Sequence, residues 1–388
     1  MKILILNYEY PPLGGGAGII TMHIAKNFAK RGNIVVVVTA WYNGLSEIEP
    51  INNNLEIIRL KSKRKFMHRS FPLEMYSWMK MANKFLSTYL KNNRFDICLA
   101  NFSIPGGYVA KNIKKKFGLP YCILSHGHDI PWYYPRQMFF YHLILYFIIR
   151  SVCLKSLLNF VQTTFMKQNI DRFTGKRLNH KNIIIPNGIE PFKNLLNDRA
   201  KQPFTIIFVG RFVNQKDTFT LLKALKELKR MDIPFRLFMV GDGPLRKKME
   251  KFVKKNDFKD TVFTGWIPQE QVQSYYQKSH IMVTPSRAEG MSIANMEALA
   301  AGVFLITTPV SGNREMLSYC KNGVLVEPEN YNEIANQIQN FYFKRYLSKK
   351  LNTRNYANQF TKQYNWEIIA ERYEQEFEKS LLLGKNPV

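Results

Sequence analysis

Four charged side chains in the second half of the chain have types and spacing that suit a phosphorylated sugar. Arg211 and Lys216 follow the apolar run "IIFVG", and two cations there, close to a predicted helix start, could clamp a diphosphate. Taken alone, an Arg–x4–Lys pair is more often a solvated surface pair. Glu289 and Glu297 lie in "PSRAEGMSIANMEALAAG", where apolar neighbours leave carboxylates in need of hydrogen-bond donors such as sugar hydroxyls.

Two other motifs carry weaker signals. "ILSHGHDIPW" places His126 and His128 after a predicted strand, but no other His, Cys or acidic cluster has zinc-like spacing with them. We therefore predict no metal site, and we interpret His126 as a polar contact to substrate. "VGDGP" is most simply a turn between a strand and a helix.

The opening loop "PPLGGGAG" follows the first strand-like run. Its glycines do not have the G-x-G-x-x-G spacing of a dinucleotide site, and no acidic residue follows about twenty positions later. Glycine still permits close approach of the backbone to a ligand. We therefore predict that Gly15 and Gly16 contact the donor phosphate or the acceptor.

The elements that must position these residues alternate between short apolar strands and helices, which predicts parallel sheets covered on both faces. The pattern restarts after a polar stretch at 187–203. We expect an α/β protein of two doubly wound, Rossmann-like domains, 1–190 and 191–364, with ligands at the carboxyl ends of the strands and a cleft between the domains. A final helix, 365–383, could pack on either domain, and we favour the first.

Composition limits the classes of protein. The chain has 388 residues, four cysteines without a C-x-x-C pair and a net charge of +27, so we expect reduced thiols in a cytoplasm and an anionic partner or surface. Residues 1–190 hold 26 Lys and Arg against 9 Asp and Glu. A plain solubility charge is the alternative, and no nucleic-acid-binding motif is present.

Two segments of the first domain raise the question of a membrane. The apolar run Met138–Ile149 predicts a buried core helix, with insertion into one leaflet as the less favoured alternative. The segment 59–86 has six cations between Arg59 and Arg69. An amphipathic pattern follows, so we predict peripheral contact of 59–86 with an anionic membrane. The alternative is a solvated loop and a helix that packs on its own sheet.

Taken together and in order, these motifs resemble the retaining glycosyltransferases of family 4, which have two facing Rossmann-like domains, the GT-B fold. The resemblance extends over essentially the whole chain. It rests on "PPLGGGAG", "HGHD", "IIIPNGI", "VGRFVNQKD", "VGDGP", the segment "GWIPQEQ" to "NMEALAAG", "TTPVSGNREML" and "YNWEIIAERY". It implies a UDP-sugar or GDP-sugar as co-substrate, with no other cofactor.

The resemblance also implies a role for each residue at a matching position. Arg211 and Lys216 would neutralise the leaving diphosphate, Glu289 would contact the donor sugar, and Glu297 would bind ribose. His126 would contact the transferred sugar. Main-chain groups would complete the set. Those of Met291, Ser292 and Ile293 would lie beside the phosphates, and those of Trp266 and Ile267 would hold the base.

Two places depart from the family pattern. Asp217 stands where the glycine of Lys-Gly is usual, and residues 17–20, after the opening glycines, lack the polar or charged residue often found there. The expected reaction is metal-independent hexosyl transfer with retention to a hydroxyl acceptor. We expect a lipid-linked or cell-surface glycan intermediate of polysaccharide, lipopolysaccharide or glycolipid assembly, made at the cytoplasmic face of a bacterial inner membrane. The alternatives are a nucleotide-sugar epimerase and a transferase acting on a small soluble acceptor.

Overall fold

The computed structural model describes residues 1–67, 70–133, 135–192, 199–349, 351 and 353–385. The chain divides into two compact units. The first comprises Met1–Gly188 and Trp366–Val388, and the second comprises Ile189–Asn365. The prediction of two Rossmann-like α/β domains with parallel sheets is confirmed.

The first unit is built on an eight-stranded sheet with the order β3-β4-β2-β1-β5-β6-β7-β8. Only β3 is antiparallel to its neighbour among the described strands. The strands are β1 Lys2–Leu6, β2 Ile34–Ala40, β3 Ile48–Asn52, β4 Leu55–Leu60, β5 Ile97–Asn101, β6 Tyr121–Leu124, β7 Asn159–Val161 and β8 Asn182–Ile184. The helices are α1 Gly16–Lys30, α2 Pro72–Asn92, α3 Tyr108–Phe117, α4 Pro135–Lys155 and α5 Thr164–Thr174.

The second unit holds a six-stranded parallel sheet with the order β11-β10-β9-β12-β13-β14. Its strands are β9 Thr205–Val209, β10 Arg236–Val240, β11 Thr261–Gly265, β12 Ile281–Thr284, β13 Phe304–Thr307 and β14 Gly323–Leu325. Its helices are α6 Thr218–Arg230, α7 Arg246–Lys255, α8 Gln269–Gln277, α9 Ile293–Ala300, α10 Gly312–Tyr319, α11 Tyr331–Phe341 and α12 Thr353–Tyr364.

The last helix, α13 (Trp366–Lys385), belongs to the first unit. The Trp366 ring stacks on His23 of α1 with centroids 5.2 Å apart. Arg31 donates from Nε to Glu374 over 2.6 Å. Because Tyr373 and Phe377 pack on Phe160 of β7, α13 covers the face of the sheet that α1 also covers.

The predicted membrane contact of 59–86 stays a prediction, and the structure shows where the apolar pattern of this segment lies. Trp78 and Ala82 of α2 are buried in the core of the first unit, and Met75, Met79 and Phe85 pack against the same core. Most of the apolar pattern therefore packs on its own unit, whereas Phe71, just before α2, is 46% exposed. Among the cations, Arg59 is buried beside Glu49, and Arg64 donates to the carbonyl oxygens of Tyr8, Phe66 and Met67. Arg69, with His68, lies outside the described residues.

The expectation that Met138–Ile149 is a buried core helix is only half right. Ile149 is buried, as is His142, but Phe140, Ile144 and Phe147 on the other side of α4 are 74–81% exposed. Among the described helices, the segment Met138–Lys155 of α4 is the one long and apolar enough to span a bilayer by length and composition.

Candidate functional site

In the second unit, the strand order changes direction between β9 and β12, which are neighbours in the sheet although two strands, β10 and β11, separate them along the chain. At such a switch point the loops after the two strands diverge and leave a crevice at their carboxyl ends. The loop after β9 carries Arg211 and Lys216, and the loop after β12 carries Glu289. The topology thus brings three of the predicted site residues to one place.

Lys216 and Glu289 form an ion pair at this point, with Lys216 Nζ donating to Glu289 Oε1. The same carboxylate oxygen accepts a 2.7 Å hydrogen bond from Ser286 Oγ. Gln215 ties the two loops together, because its side chain donates to Ala288 O and its carbonyl accepts from Arg287 N. The lysine is therefore held in position, and its remaining N–H donors suit a phosphate oxygen.

The glycines of "VGDGP" shape the loop that carries Arg211. A Cβ on Gly243 would lie 2.5 Å from the carbonyl oxygen of Phe212, and one on Gly241 would meet that of Gly210. Phe212 N donates to Asp242 O over 2.9 Å. Close backbone packing thus fixes the residues on both sides of Arg211, while the Arg211 side chain is exposed.

Asp217 has a left-handed backbone, with φ 45° and ψ 46°. This is the conformation that glycine adopts without steric cost, so the geometry of a Lys-Gly loop is retained despite the substitution. The Asp217 carboxylate accepts a 3.2 Å hydrogen bond from Arg287 Nε. Replacement of the usual glycine therefore adds an ion pair beside the site and keeps the loop shape.

The start of α9 supplies main-chain groups next to Glu289. Ser292 caps the helix, accepting from Asn295 N at 3.4 Å, and Met291, Ser292 and Ile293 form the turn into it. The first N–H groups of a helix have no intrahelical partners and carry partial positive charge. This turn can therefore bind an anion.

A buried amide and hydroxyl network that sequence reasoning missed holds α9 in place. Asn295 donates to Asn313 Oδ1 over 3.0 Å and accepts from Thr284 Oγ1, while Asn313 donates to Thr307 Oγ1. The network links α9 and α10 to the ends of β12 and β13. An asparagine in the apolar run "SIANMEALAAG" was the available signal.

Glu297, predicted to bind ribose, is 8% exposed. Its Oε1 accepts from Gln269 Nε2 over 2.7 Å and its Oε2 accepts from the Tyr276 hydroxyl over 2.9 Å. Burial, followed by the Glu297 charge, raises the pKa of Tyr276 well above its ordinary value. The hydroxyl thus stays a donor, and the carboxylate is fixed in one orientation.

Trp266 and Ile267 follow β11 at the same edge of the sheet. Trp266 is 66% exposed, whereas Ile267 packs against the buried core on the α9 side. An exposed indole beside a strand end offers a surface on which a planar base can stack.

In the first unit, the three glycines of the opening loop differ in the space around them and in their backbone conformation. Gly14 has φ 88°, and a Cβ there would lie 2.5 Å from the Glu9 carboxylate carbon. A Cβ on Gly15 or Gly16 would meet no atom of the described chain within 4 Å. The fold therefore requires glycine at 14 and leaves space around 15 and 16. Gly15 N donates to Glu9 Oε2 over 3.3 Å.

His126 belongs to a polar cluster at the switch point of the first sheet, between β1 and β5. Its Nε2 lies 2.8 Å from Asn101 Oδ1, which also accepts from Thr21 Oγ1. Because the amide oxygen is an acceptor, His126 carries its proton on Nε2 and leaves Nδ1 as an acceptor. Burial lowers the pKa of His126 to about 4, although Asp129 opposes the shift, so the ring is neutral at pH 7.

Asp129 of "HGHD" has a structural role. Its carboxylate accepts from the backbone N–H groups of His126 and Ser103, over 3.0 and 2.8 Å. His142 donates from Nε2 to the carbonyl of His128 over 2.9 Å. The residues that the sequence did not reveal here, Asn101 and Thr21, are those that orient His126.

No group of three His, Cys, Asp or Glu side chains arranged to hold a metal ion occurs in the described part of the chain. The site in the second unit combines two cations, a helix start and two buried carboxylates. That arrangement offers donors to a diphosphate and acceptors to hydroxyl groups.

Comparisons with known proteins agree with this chemistry. Residues 14–192 match the family model "Glycosyltransferase Family 4", and residues 193–360 match "Glycosyl transferases group 1". An uncharacterized glycosyltransferase of Methanocaldococcus jannaschii is 27% identical over 95% of both chains. A phosphatidylinositol N-acetylglucosaminyltransferase polypeptide of Arabidopsis thaliana is 22% identical over 98% of this chain and 82% of its own length.

Solved structures show the same fold. Sucrose-phosphate synthase of Thermosynechococcus elongatus superposes with a TM-score of 0.82 at 20% identity, covering 99% of this chain and all of that one. Anabaena HepE in complex with UDP-glucose superposes with a TM-score of 0.75 at 18% identity, covering 98% of this chain and 100% of that one. WaaG, a glycosyltransferase involved in lipopolysaccharide biosynthesis, superposes with a TM-score of 0.68 at 18% identity, covering 96% of this chain and 98% of that one.

Proposed function

Because this chain is a glycosyltransferase of the GT-B type, with a family 4 first unit and a group 1 second unit, we propose that it moves a hexose from a nucleotide-diphospho-sugar to a hydroxyl acceptor with retention. The observation that carries the proposal is the Lys216–Glu289 pair at the switch point of the second sheet. A cation for the leaving group and an acceptor for sugar hydroxyls are thereby adjacent.

The diphosphate is bound by Arg211, Lys216 and the turn of Met291, Ser292 and Ile293. Cleavage of the bond between the sugar and the diphosphate places negative charge on the leaving group. Fixed cations and a helix start stabilise that charge without rearrangement, and such preorganised electrostatics commonly contribute the largest share of catalysis. The two cations supply the positive charge that a divalent metal would otherwise provide, so the transfer needs no metal.

The rest of the donor follows the same edge of the sheet. Glu297, fixed by Gln269 and Tyr276, accepts from the ribose hydroxyls, and Trp266 and Ile267 contact the base. Glu289 accepts from hydroxyls of the transferred sugar. The structure of HepE with UDP-glucose supports a UDP-sugar as the donor to test first.

The first unit contributes His126 as a contact to the transferred sugar, and Gly15 and Gly16 as backbone contacts. The neutral Nε2–H tautomer of His126 leaves Nδ1 as an acceptor for a sugar hydroxyl. Retention requires that the acceptor hydroxyl attack from the side on which the diphosphate leaves. In that geometry the departing phosphate oxygen can take the proton of the acceptor.

The acceptor is a lipid-linked or cell-surface glycan intermediate, and the enzyme works at the cytoplasmic face of the inner membrane. Support comes from the phosphatidylinositol-glycosylating relative and from the lipopolysaccharide enzyme WaaG. The high positive charge of the chain suits an acceptor held at an anionic surface.

Turnover of UDP- and GDP-sugars, followed by nucleoside diphosphate release, tests the proposal. Glu289→Gln should reduce turnover by roughly 10²–10³-fold. Glu250→Gln, which changes a solvent-facing carboxylate on α7, should leave it unchanged. NMR of the product fixes its anomeric configuration, and an inverted linkage would contradict retention. Full activity after exhaustive EDTA treatment is expected, and a strict metal requirement would contradict the assigned role of the two cations.

A further inference from the structure

Helix α4 presents an apolar stripe that nothing in the first unit covers among the described residues. Between Met138 and Arg150 its exposed residues follow helical spacing over almost three turns, and every one of them is apolar: Phe139, Phe140, Leu143, Ile144, Phe147 and Ile148. Their exposed fractions run from 37% to 81%. Contiguous apolar surface of this kind marks an interaction site, whereas single exposed apolar residues are ordinary.

The opposite side of α4 is fixed in the protein. Ile149, Val152 and Cys153 are buried in the same core as α2, α3 and α5, and Tyr141 and Leu145 pack against it. Tyr121 donates from its hydroxyl to Val152 O over 2.7 Å. Crossing a bilayer would require α4 to leave this core. The helix can therefore present its outer stripe to a membrane surface and cannot span the membrane while the unit stays folded.

Positive charge lies beside the C-terminal part of α4, next to the stripe. Residues 97–170 contain eight Lys and Arg against one acidic residue, Asp129, which is buried. Lysines of α3 lie along α4, since Lys114 Nζ donates to Lys155 O over 2.8 Å and Lys111 Nζ lies 3.5 Å from Ser151 Oγ. Lys115 and Lys116 on α3 are exposed.

We propose that this face of the first unit docks onto an anionic lipid bilayer, with the α4 stripe inserted into one leaflet and the α3 lysines at the headgroups. This goes beyond the proposed transfer reaction and does not depend on it. Apolar residues without polar neighbours suit acyl chains. A protein interface, by contrast, carries about one hydrogen bond per 100–200 Å². The charge also opposes pairing of two copies through this face, because like charges would meet.

The energetics predict a measurable dependence on lipid charge. Each lysine near an acidic leaflet contributes roughly a fivefold gain in partitioning. Removal of one inserted Phe or Ile side chain should weaken binding on the order of tenfold. A double substitution in the stripe should thus reduce binding by about two orders of magnitude, and neutralising two lysines by about 25-fold.

Sedimentation of the full-length protein with vesicles tests the proposal. Wild type should bind vesicles of phosphatidylcholine with phosphatidylglycerol and should bind phosphatidylcholine alone far more weakly. Phe140→Ser/Ile144→Ser should abolish binding, and Lys115→Gln/Lys116→Gln should reduce it. The matched control is Phe343→Ser/Leu347→Ser in the second unit, which removes two equally spaced exposed side chains and should bind as wild type.

A second measurement reports insertion directly. All four native cysteines are buried, so an environment-sensitive fluorophore on Ile144→Cys labels one place. Its emission should shift to the blue with anionic vesicles, whereas a label on Leu382→Cys, exposed on α13, should not respond.

Indifference of wild type to both kinds of vesicle would overturn the proposal. So would loss of a dimer, rather than of lipid binding, in Phe140→Ser/Ile144→Ser. Release of nucleoside diphosphate from a soluble donor, measured without vesicles, should be equal in wild type and this variant, which separates failure of docking from failure of the transferase.

Discussion

Lys216 and Glu289 lie 73 positions apart in the sequence and form an ion pair across the switch point of the second sheet. Both side chains are largely buried, at 17% and 8% exposure. A desolvated charge is costly without its partner. The pair therefore holds two loops together and keeps one cation ready for the donor.

Removal of one partner of this pair should cost more stability than removal of both. Lys216→Met leaves Glu289 with the Ser286 hydroxyl as its donor, and we expect a loss of about 1–3 kcal/mol in the free energy of unfolding. Adding Glu289→Gln should restore part of it. Urea unfolding of the two single variants and the double variant gives the coupling energy. Strict additivity would show that the pair has no energetic weight.

The glycine loop of the first unit allows stability and activity to be separated. Gly15→Ala projects into open space, so the free energy of unfolding should change by less than about 0.5 kcal/mol. Activity should nevertheless fall at least tenfold if the donor or acceptor approaches this backbone. The measurement is the ratio kcat/KM beside a urea melt.

Gly14→Ala provides the contrast to Gly15→Ala. Its left-handed φ and the approach of Glu9 should make it destabilising by more than about 1 kcal/mol. If Gly15→Ala kept the wild-type kcat/KM, neither donor nor acceptor would contact this loop.

The fold was predictable from the sequence because buried parallel strands are short apolar runs and the helices between them keep a 3.6-residue period. The direction of an apolar face was harder to predict. The pattern of Trp78 and Ala82 correctly indicates an amphipathic helix, but periodicity does not say whether its partner is a sheet or a lipid. In α4 both sides are apolar, so Ile149 and Phe147 look alike in sequence although one is buried and the other is 81% exposed.

The candidate site was accessible to sequence reasoning where a charged residue follows a strand, as with Lys216 and Glu289. Residues that act through others were not. Asn101 ends a strand and Asn295 interrupts an apolar helix. Both side chains are buried, and their hydrogen-bond partners lie 11 to 95 positions away in the sequence. Only the tertiary structure brings Thr21 to Asn101 or Asn313 to Asn295.

Asp217 offers a test of the left-handed loop beside Lys216. Asp217→Gly should be close to neutral, since relief of the left-handed backbone offsets loss of the contact with Arg287. Asp217→Ala loses the ion pair and keeps the backbone cost. We therefore expect the alanine variant to be less stable than the glycine variant by about 1 kcal/mol. Thermal unfolding of the two variants under one set of conditions gives this difference, and equal stabilities would argue against a left-handed residue here.

Two histidines with lowered pKa values predict a loss of stability in mild acid. Burial lowers the pKa of His280 to about 4; the hydrogen bond to the Arg199 carbonyl opposes this shift, and the Arg199 charge adds to it. Its Nδ1 accepts from Thr205 N, and its Nε2–H donates to Arg199 O. Both nitrogens of the neutral ring are thus in use, and protonation would break the contact with Thr205. The same direction holds for His126 in the first unit, whose pKa is also about 4.

The sign follows from the folded pKa lying below the unfolded value of about 6.5. Above pH 6.5 both states hold neutral rings, and the full stability is present. Between pH 6.5 and 4 the unfolded chain binds protons that the folded chain does not. Each histidine should then lower the free energy of unfolding by up to about 1.4 kcal/mol per pH unit. Urea unfolding at pH 7.0, 6.0 and 5.0 should show this slope, and His280→Asn should be less stable at pH 7 but should lose less between pH 6.5 and 5. A variant with the wild-type slope would mean that His280 takes up its proton equally in the folded and unfolded states, so that its pKa is not lowered by folding.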